Sequence, residues 1–390
     1  MLCIVIDIKE TERSENMKRT FTILILLLTV LLGVFCLIGC GGSGRNAGAK
    51  ANAPKPKFKI VATIFPEYSW VKEILGKQEI SAELILLTKK GVDMHSYQPS
   101  AEDILRIANC DLFIYVGGES DKWVDKALKE GGNPKRKVLN LMKLLGNRVK
   151  TEEEVEGMEK HDHREHDKDG HDHHAKDKHD EKHDHHDKDK HDEKHEHDKH
   201  HDKEEKHHHD EVEYDEHVWL SLKNADIACK AIAEELAALD QKNAATYRAN
   251  YDAYSKKLAA LDKHYEEAVK KAPVKAVLFG DRFPFRYLTD DYGLKYYAAF
   301  NGCSAETEAS FETVIFLAKK MDELKLPAVL TIEGKQHKLA RTIVENTKEK
   351  NQKVLTLNSM QSVTEEEMKK GATYLSSMEE NLKVLQQALQ

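Results

Sequence analysis

FKIVATIFPEYSWVKEILGKQEISAELILLT, residues 58–88, decides the fold. FKIVATI (58–64) is a short β-rich run, PEYSWVKEILG is amphipathic, and ISAELILLT (80–88) is β-rich again. The alternation continues through SAEDILRIANC, DLFIYVG (111–117), the segment to Glu130, and KVLNL (137–141). Short β-prone runs separated by amphipathic stretches indicate βα units and a mostly parallel sheet.

The middle, 222–271, contains neither Gly nor Pro and is rich in Ala, Leu, Glu and Lys, so it is expected to be almost wholly helical, with at least one long helix. After Pro273 the alternation resumes with KAVLFG (275–280), a helix over FPFRYLTDDYG, LKYYAAF (294–300), a helix over 304–324, PAVLTIEG (327–334) and its helix, KVLTLN (353–358), and a last helix from Thr364. The expected fold is α/β: two lobes, each a mostly parallel sheet with flanking helices, joined by a long rigid helix. The first lobe is expected over 58–222, the helical segment over 223–272 and the second lobe over 273–390. About 280 residues are left for the folded body, enough for two cores.

The first lobe carries an insert, 151–212. Its stretch 161–209 holds 18 of the chain's 22 histidines among Asp, Glu and Lys, with almost nothing apolar. Such a segment cannot bury a core and is expected to be disordered. Imidazole is the commonest ligand for zinc and its neighbours, and carboxylates draw the cation in, so the chain is expected to handle metal. A twelve-residue unit is nearly duplicated at 176–187 and 188–199, which selects for composition and not for one geometry. The alternative is a solvated charged linker.

At the other end, Met17, Lys18 and Arg19 precede an apolar run, 21–35, and Leu37-Ile38-Gly39-Cys40 follows. This order has the form of a secretory signal peptide, and Leu-x-Gly-Cys resembles the bacterial lipobox, in which the cysteine is acylated. Residues 1–39 are then a signal, with translation expected to start at Met17, Cys40 a lipid anchor and 40–57 a tether. An uncleaved transmembrane helix is the alternative, since the run is near the minimum length for a span. Cys110, Cys229 and Cys303 are left in the body, an odd number without CxxC spacing, and no disulfide framework is expected. Residues 161–210 hold 11 basic against 19 acidic residues, a net of −8 that equals the formal charge of the whole chain. The body is therefore near neutral, with no basic face for nucleic acid.

In open α/β sheets ligands bind beyond the carboxyl ends of the strands. Metal-competent side chains stand there at His95 in GVDMHSYQPS, Asp281 after 275–280, Glu333 ending PAVLTIE, and Asn358 ending KVLTLN, while His217 lies in YDEHVWLS just after the tract. They come from both lobes, so a site built from them lies in the cleft between. Each also has a plainer reading: a loop His on the surface, Asp281 as a helix cap, Glu333 as a turn residue. His264 and His337 sit in polar helical contexts and are expected on the surface.

GVDMHSYQPSAED (91–103) resembles the first histidine segment of the solute-binding proteins of zinc and manganese ABC importers. DEHVWLSLKNA (215–225) resembles their second, usually Asp-Pro-His-x-Trp-Leu, with Glu216 where Pro is usual. The acidic His-rich insert before that motif is typical of zinc-specific members, the lipobox fits, and the likeness runs from about Phe58 to the C-terminus. The resemblance implies His95 and His217 as metal ligands, a membrane permease as partner, and a monomer held to the membrane through Cys40. Where zinc members place a third histidine and manganese members a glutamate, this chain has Asp281; where the family has an aspartate near the final strand, it has Asn358. An amide is a poor zinc ligand, so Glu333 is the expected substitute, with Glu308 or water as alternatives. Two imidazoles and one or two carboxylates make a tetrahedral zinc site that would also serve manganese. Two other functions compete: a zinc hydrolase, opposed by the absence of HExxH, and a metal-buffering surface lipoprotein or adhesin-like protein in which the tract is the function.

Overall fold

The alternating runs fold into two parallel sheets. A computed structural model of the chain describes residues 58–76, 82–88, 91–159, 213–304, 308–334 and 337–390; the expected signal peptide, Cys40, the tether and the His-rich tract lie outside the described residues. The first sheet holds β1 (Phe58–Ala62), β2 (Ala82–Leu86), β3 (Leu112–Tyr115) and β4 (Lys137–Asn140) in the order β2-β1-β3-β4. The second holds β5 (Ala276–Phe283), β6 (Lys295–Asn301), β7 (Ala328–Thr331) and β8 (Lys353–Thr356) in the order β6-β5-β7-β8, and every pairing is parallel. In each sheet the strand order reverses beside the first strand, and the carboxyl ends there form the natural ligand crevice.

Strand side chains alternate between the two faces of a sheet, and the cores follow that alternation. Leu112 and Ile114 enter one large apolar cluster while Phe113 and Tyr115 enter a smaller one. In the second sheet Val277 and Phe279 join the same large cluster, whereas Ala276 and Leu278 face a third. Each lobe thus has a small core of its own on one face and shares the large core on the other. The described residues thus form three apolar clusters, one of them common to both sheets. The shared core is filled largely by helices, with Trp70, Trp219, Tyr247, Tyr265 and Tyr374 all buried in it.

The helix Ala244–Lys271 lies between the lobes and presents Tyr247, Tyr254, Leu258, Leu261, Tyr265 and Val269 as one buried stripe. At 1.5 Å per residue it is about 42 Å long. The helical middle is broken once, between Leu239 and Ala244, without Gly or Pro. The Asp240 carboxylate makes the corner, accepting from Asn243 Nδ2 (2.7 Å) and Tyr247 Oη (3.1 Å). The last helix, Tyr374–Ala388, returns to the first lobe: Tyr374 N donates to Ser69 Oγ (2.9 Å) in the helix Phe65–Leu75, and its Oη donates to Trp219 O (2.7 Å).

Three boundaries differ from the sequence reading. The helix expected over 304–324 runs Phe311–Leu324, because Ser310 caps it by accepting from Thr313 N (3.1 Å). The last helical stretch is two helices, Glu365–Lys369 and Tyr374–Ala388, separated at Gly371 with φ 99° and started again by the Thr373 cap. The start of the expected insert, 151–159, is packed on the body: Thr151 pairs with Tyr214, and Glu159 N donates to Ala299 O (3.0 Å) on β6. Glu159 Oε1 also accepts from Ser310 N (2.5 Å), so this stretch crosses to the second lobe. Among the described residues no helix is long and apolar enough to cross a membrane.

Two buried carboxyls in the first lobe tie stability to pH. Glu67 Oε2 accepts from Thr63 N (2.8 Å), Thr63 Oγ1 (3.1 Å) and Ile64 N (3.2 Å), while Oε1 is buried without a partner. Burial first, and then the nearby Asp121, pushes Glu67 from 4.5 up to about 8. Burial likewise pushes Asp121 from 3.8 up to about 7. Both carboxyls bind their protons more tightly folded than unfolded, so their contribution is complete below the unfolded values and is lost as pH rises through 7 to 8. We therefore expect metal-free protein to lose stability between pH 6.5 and 8, by at most about 1.4 kcal/mol per pH unit per group. Glu67→Gln should make that slope shallower. Denaturant titrations across the window check it; an unchanged slope in Glu67→Gln would show that Glu67 does not bind this proton.

Candidate metal centre

The loop after β2 carries His95 on a short 3-10 turn, Met94–Ser96, which Asp93 caps by accepting from His95 N (3.0 Å). Buried Met94 anchors the turn. His95 Nδ1 lies 2.7 Å from Ser120 Oγ, in the loop after β3. Asp215, Glu216 and His217 come from the strongest motif and are all buried, held by the inserted side chains of Val218, Trp219 and Leu220 behind them. Glu216, at the place where proline is usual, accepts from Ser120 N (2.8 Å) through Oε1 and puts Oε2 3.6 Å from His95 Nδ1. Proline could make neither contact. Gly118, with φ 86°, sits against this carboxylate: a Cβ there would lie 2.3 Å from Glu216 Oε1.

The two histidines meet, Nε2 to Nε2, at 3.1 Å. His217 Nδ1 donates to Asp215 Oδ1 (2.9 Å), which fixes the Nδ1–H tautomer and leaves the Nε2 lone pair facing His95. Two nitrogens this close require a proton or a cation between them. With the His217 Nε2 lone pair facing it, a neutral His95 that carries its proton on Nε2 fills the gap, and Nδ1 is then left to accept from the Ser120 hydroxyl. With a cation in that place His95 would carry its proton on Nδ1 and Ser120 Oγ would accept it, since a hydroxyl serves in both roles. Burial first, and then the facing His217, holds His95 from 6.5 down to about 3, so the ring is neutral and competent to ligate at any physiological pH.

Cys303, in the turn after β6, completes the group: the ligand atoms of His95, His217 and Cys303 all lie within 4.8 Å of one another. Burial and the neighbouring carboxyls of Glu152, Glu216 and Asp215 push its thiol well above the usual range, so without metal it is protonated. The sequence reading passed over Cys303 as an unpaired cysteine. The rule that pointed to His95 and Asp281 applies to it equally, since it follows the carboxyl end of a strand. Gly302 beside it is required by closeness, because a Cβ would stand 2.8 Å from His217 Cε1 and 2.9 Å from Phe283 O. Gly302→Ala must displace the His217 ring or the β6 turn, at about 1–3 kcal/mol for such overpacking. We expect zinc affinity to fall at least about tenfold with the fold intact, as read by calorimetry and circular dichroism; unchanged affinity would mean that the ring position does not matter.

The other expected ligands stand outside this group. Asp281 Oδ1 accepts from Arg282 N (2.8 Å) and Oδ2 from Ile332 N (3.3 Å). Glu333 takes Ser359 N (2.7 Å), Ser359 Oγ (2.6 Å) and Gln361 N (3.2 Å). Asn358 Oδ1 accepts from Met360 N (2.8 Å), closing its own turn. Asp281, Glu333 and Glu308 line a cavity of about 850 Å³ whose first-lobe wall is Asp93 and Ser96, the cap and the last residue of the His95 turn. That is room for many waters, an antechamber beside the histidine pair. His337, expected on the surface, is half-buried and lines the same cavity, while His264 is exposed as expected. Across the cleft Arg282 Nη2 reaches Asp93 Oδ2 at 2.7 Å and straps the His95 turn to β5.

The family described as zinc-uptake complex component A, periplasmic, matches residues 60–388. The zinc-binding lipoprotein AdcA of Streptococcus pneumoniae is 31% identical over 366 residues, 93% of this chain, but the match spans only 60% of that protein's length. The high-affinity zinc uptake system protein ZnuA of Bacillus subtilis is 27% identical over 362 residues, covering 93% of this chain and 97% of that one. Among solved structures, the Zn(II)-bound ZnuA-like domain of Streptococcus pneumoniae AdcA superposes with a TM-score of 0.58 at 26% identity, over 85% of this chain and 98% of that one.

Proposed function

This chain belongs to the zinc-uptake component A family, and from that premise we propose that it is the extracytoplasmic receptor of an ABC importer, capturing Zn²⁺ between its lobes and delivering it to a membrane permease. The observation that carries the reading is the 3.1 Å approach of the His95 and His217 Nε2 atoms. Nitrogen ligands at zinc bond lengths of about 2.0–2.1 Å stand about 3.3 Å apart at tetrahedral angles, so the pair is set for an ion of that size. The relatives named for zinc binding and zinc uptake support the cargo, with manganese the lesser alternative. The protein's work is capture and release, with no reaction catalysed.

In this reading His95 and His217 are ligands, and Asp281 and Glu333 are cleft carboxylates that draw the cation through the antechamber. Residues 1–39 are the signal, Cys40 carries the lipid that holds a monomer to the outer face of the membrane, 58–222 and 273–390 are the lobes, and the His-rich tract is a weak local store. The 18 histidines of 161–209 favour a second reading, a metal buffer that acts through the tract alone. Deleting 160–212 and titrating zinc against a chelator of known affinity separates them. The receptor keeps one tight site per chain and loses only weak ones, whereas a buffer loses nearly all binding.

A further inference from the structure

We propose that Cys303 is the third ligand of the captured ion and makes the site selective for zinc over manganese. The inference rests on the receptor reading and goes beyond it, because it gives this site a sulfur donor in place of the expected carboxylate. Three observations converge on the same point. Cys303 Sγ shares a 4.8 Å cluster with two imidazole nitrogens, one of them oriented by a buried carboxylate. Both oxygens of Asp281 accept from backbone amides of its own lobe, and its carboxylate is not among the ligand atoms that gather within 4.8 Å. Glu216, 1% exposed, keeps Oε2 without a hydrogen-bond partner 3.6 Å from His95 Nδ1, an acceptor placed to hold that nitrogen's proton when Nε2 ligates.

The chemistry is simple to balance. As the ion arrives the Cys303 S–H bond breaks, a sulfur–metal bond forms, and the proton leaves to solvent. Two imidazoles and one thiolate are three protein ligands, which leaves the fourth position to water and suits a carrier that must let go. Thiolate favours zinc, cobalt and cadmium, whereas manganese prefers oxygen. Cys110 and Cys229 are both fully buried and belong to the apolar clusters, so neither competes for this role.

The test uses the full chain. Iodoacetamide labelling is read at each cysteine peptide by mass spectrometry, with and without saturating zinc, and Co²⁺ is titrated into wild type, Cys303→Ser and His217→Ala. We expect zinc to slow alkylation of Cys303 at least about tenfold. Co²⁺ should give a near-ultraviolet thiolate-to-cobalt charge-transfer band that Cys303→Ser removes, a band the tract cannot supply because it has no cysteine. Cys303→Ser should also narrow the preference for zinc over manganese. Equal alkylation with and without zinc, in a protein whose tight site is lost in His217→Ala, overturns the role of Cys303 and leaves the receptor reading standing. Loss of neither affinity nor band in His217→Ala overturns the receptor site itself.

Discussion

His217→Ala is expected to abolish tight zinc binding, with a loss on the order of a thousandfold or more, about 4 kcal/mol. The side chain is fully buried, its Nδ1 is committed to Asp215 and its Nε2 faces His95 Nε2 at 3.1 Å, so its loss removes one of the two paired nitrogens. Removing it also leaves Asp215 Oδ1 without its ring donor, which adds to the cost but not to binding. His95→Ala should behave alike. Asp281→Ala, by contrast, should leave the tight site within about threefold, because that carboxylate stands outside the group formed by His95, His217 and Cys303. Competition titration of the tract-deleted protein reads all three. Full affinity in His217→Ala, or its loss in Asp281→Ala, would move the site elsewhere in the cleft.

The second large effect is on stability. Trp219 is completely buried in the core that both sheets share, donates from Nε1 to Ser359 O (2.8 Å) in the second lobe, and accepts from Tyr374 Oη at its carbonyl. Trp219→Ala should cost about 3–5 kcal/mol, from the cavity it opens and the carbonyl it strands. The informative part is where the loss falls. Amide exchange should show β1 and β7 losing protection together in one cooperative transition. Two separate transitions, or weakening confined to one lobe, would mean that the lobes fold as independent bodies.

The two sheets were legible because buried parallel strands and amphipathic helices have different periods, and 58–88 shows both within one βαβ unit. The break at Asp240 was not, since a corner made by side-chain hydrogen bonds to Asn243 and Tyr247 leaves no Gly or Pro mark. The pairing of His95 with His217 was readable from the two motifs, although they stand 122 positions apart. The rule of strand carboxyl ends pointed to Asp281 in the second lobe, whereas the side chain that the fold gathers beside the two histidines is Cys303. Sequence position does not tell where a side chain points, and β5 shifts register between Phe279 and Arg282, so Asp281 turns back to its own backbone. Glu216 was visible as a departure from the usual proline; its bond to Ser120 N needed the fold.

The single apolar mass behind both sheets limits how this protein can do mechanical work. Opening the cleft like a jaw would drag Trp70, Trp219 and Tyr374 toward water. Three such rings bury about 150–250 Å² each, worth roughly 10–20 kcal/mol in all, so even a partial stroke consumes most of what binding one ion could supply. The frame is therefore stiff, and travel is expected in the two turns that meet at the histidine pair, the His95 turn and the Gly302–Cys303 turn. If the proposed receptor role holds, dwell time depends on how tightly those turns are strapped, and the part-exposed Asp93–Arg282 pair, 2.7 Å apart, is the strap whose loosening would set release.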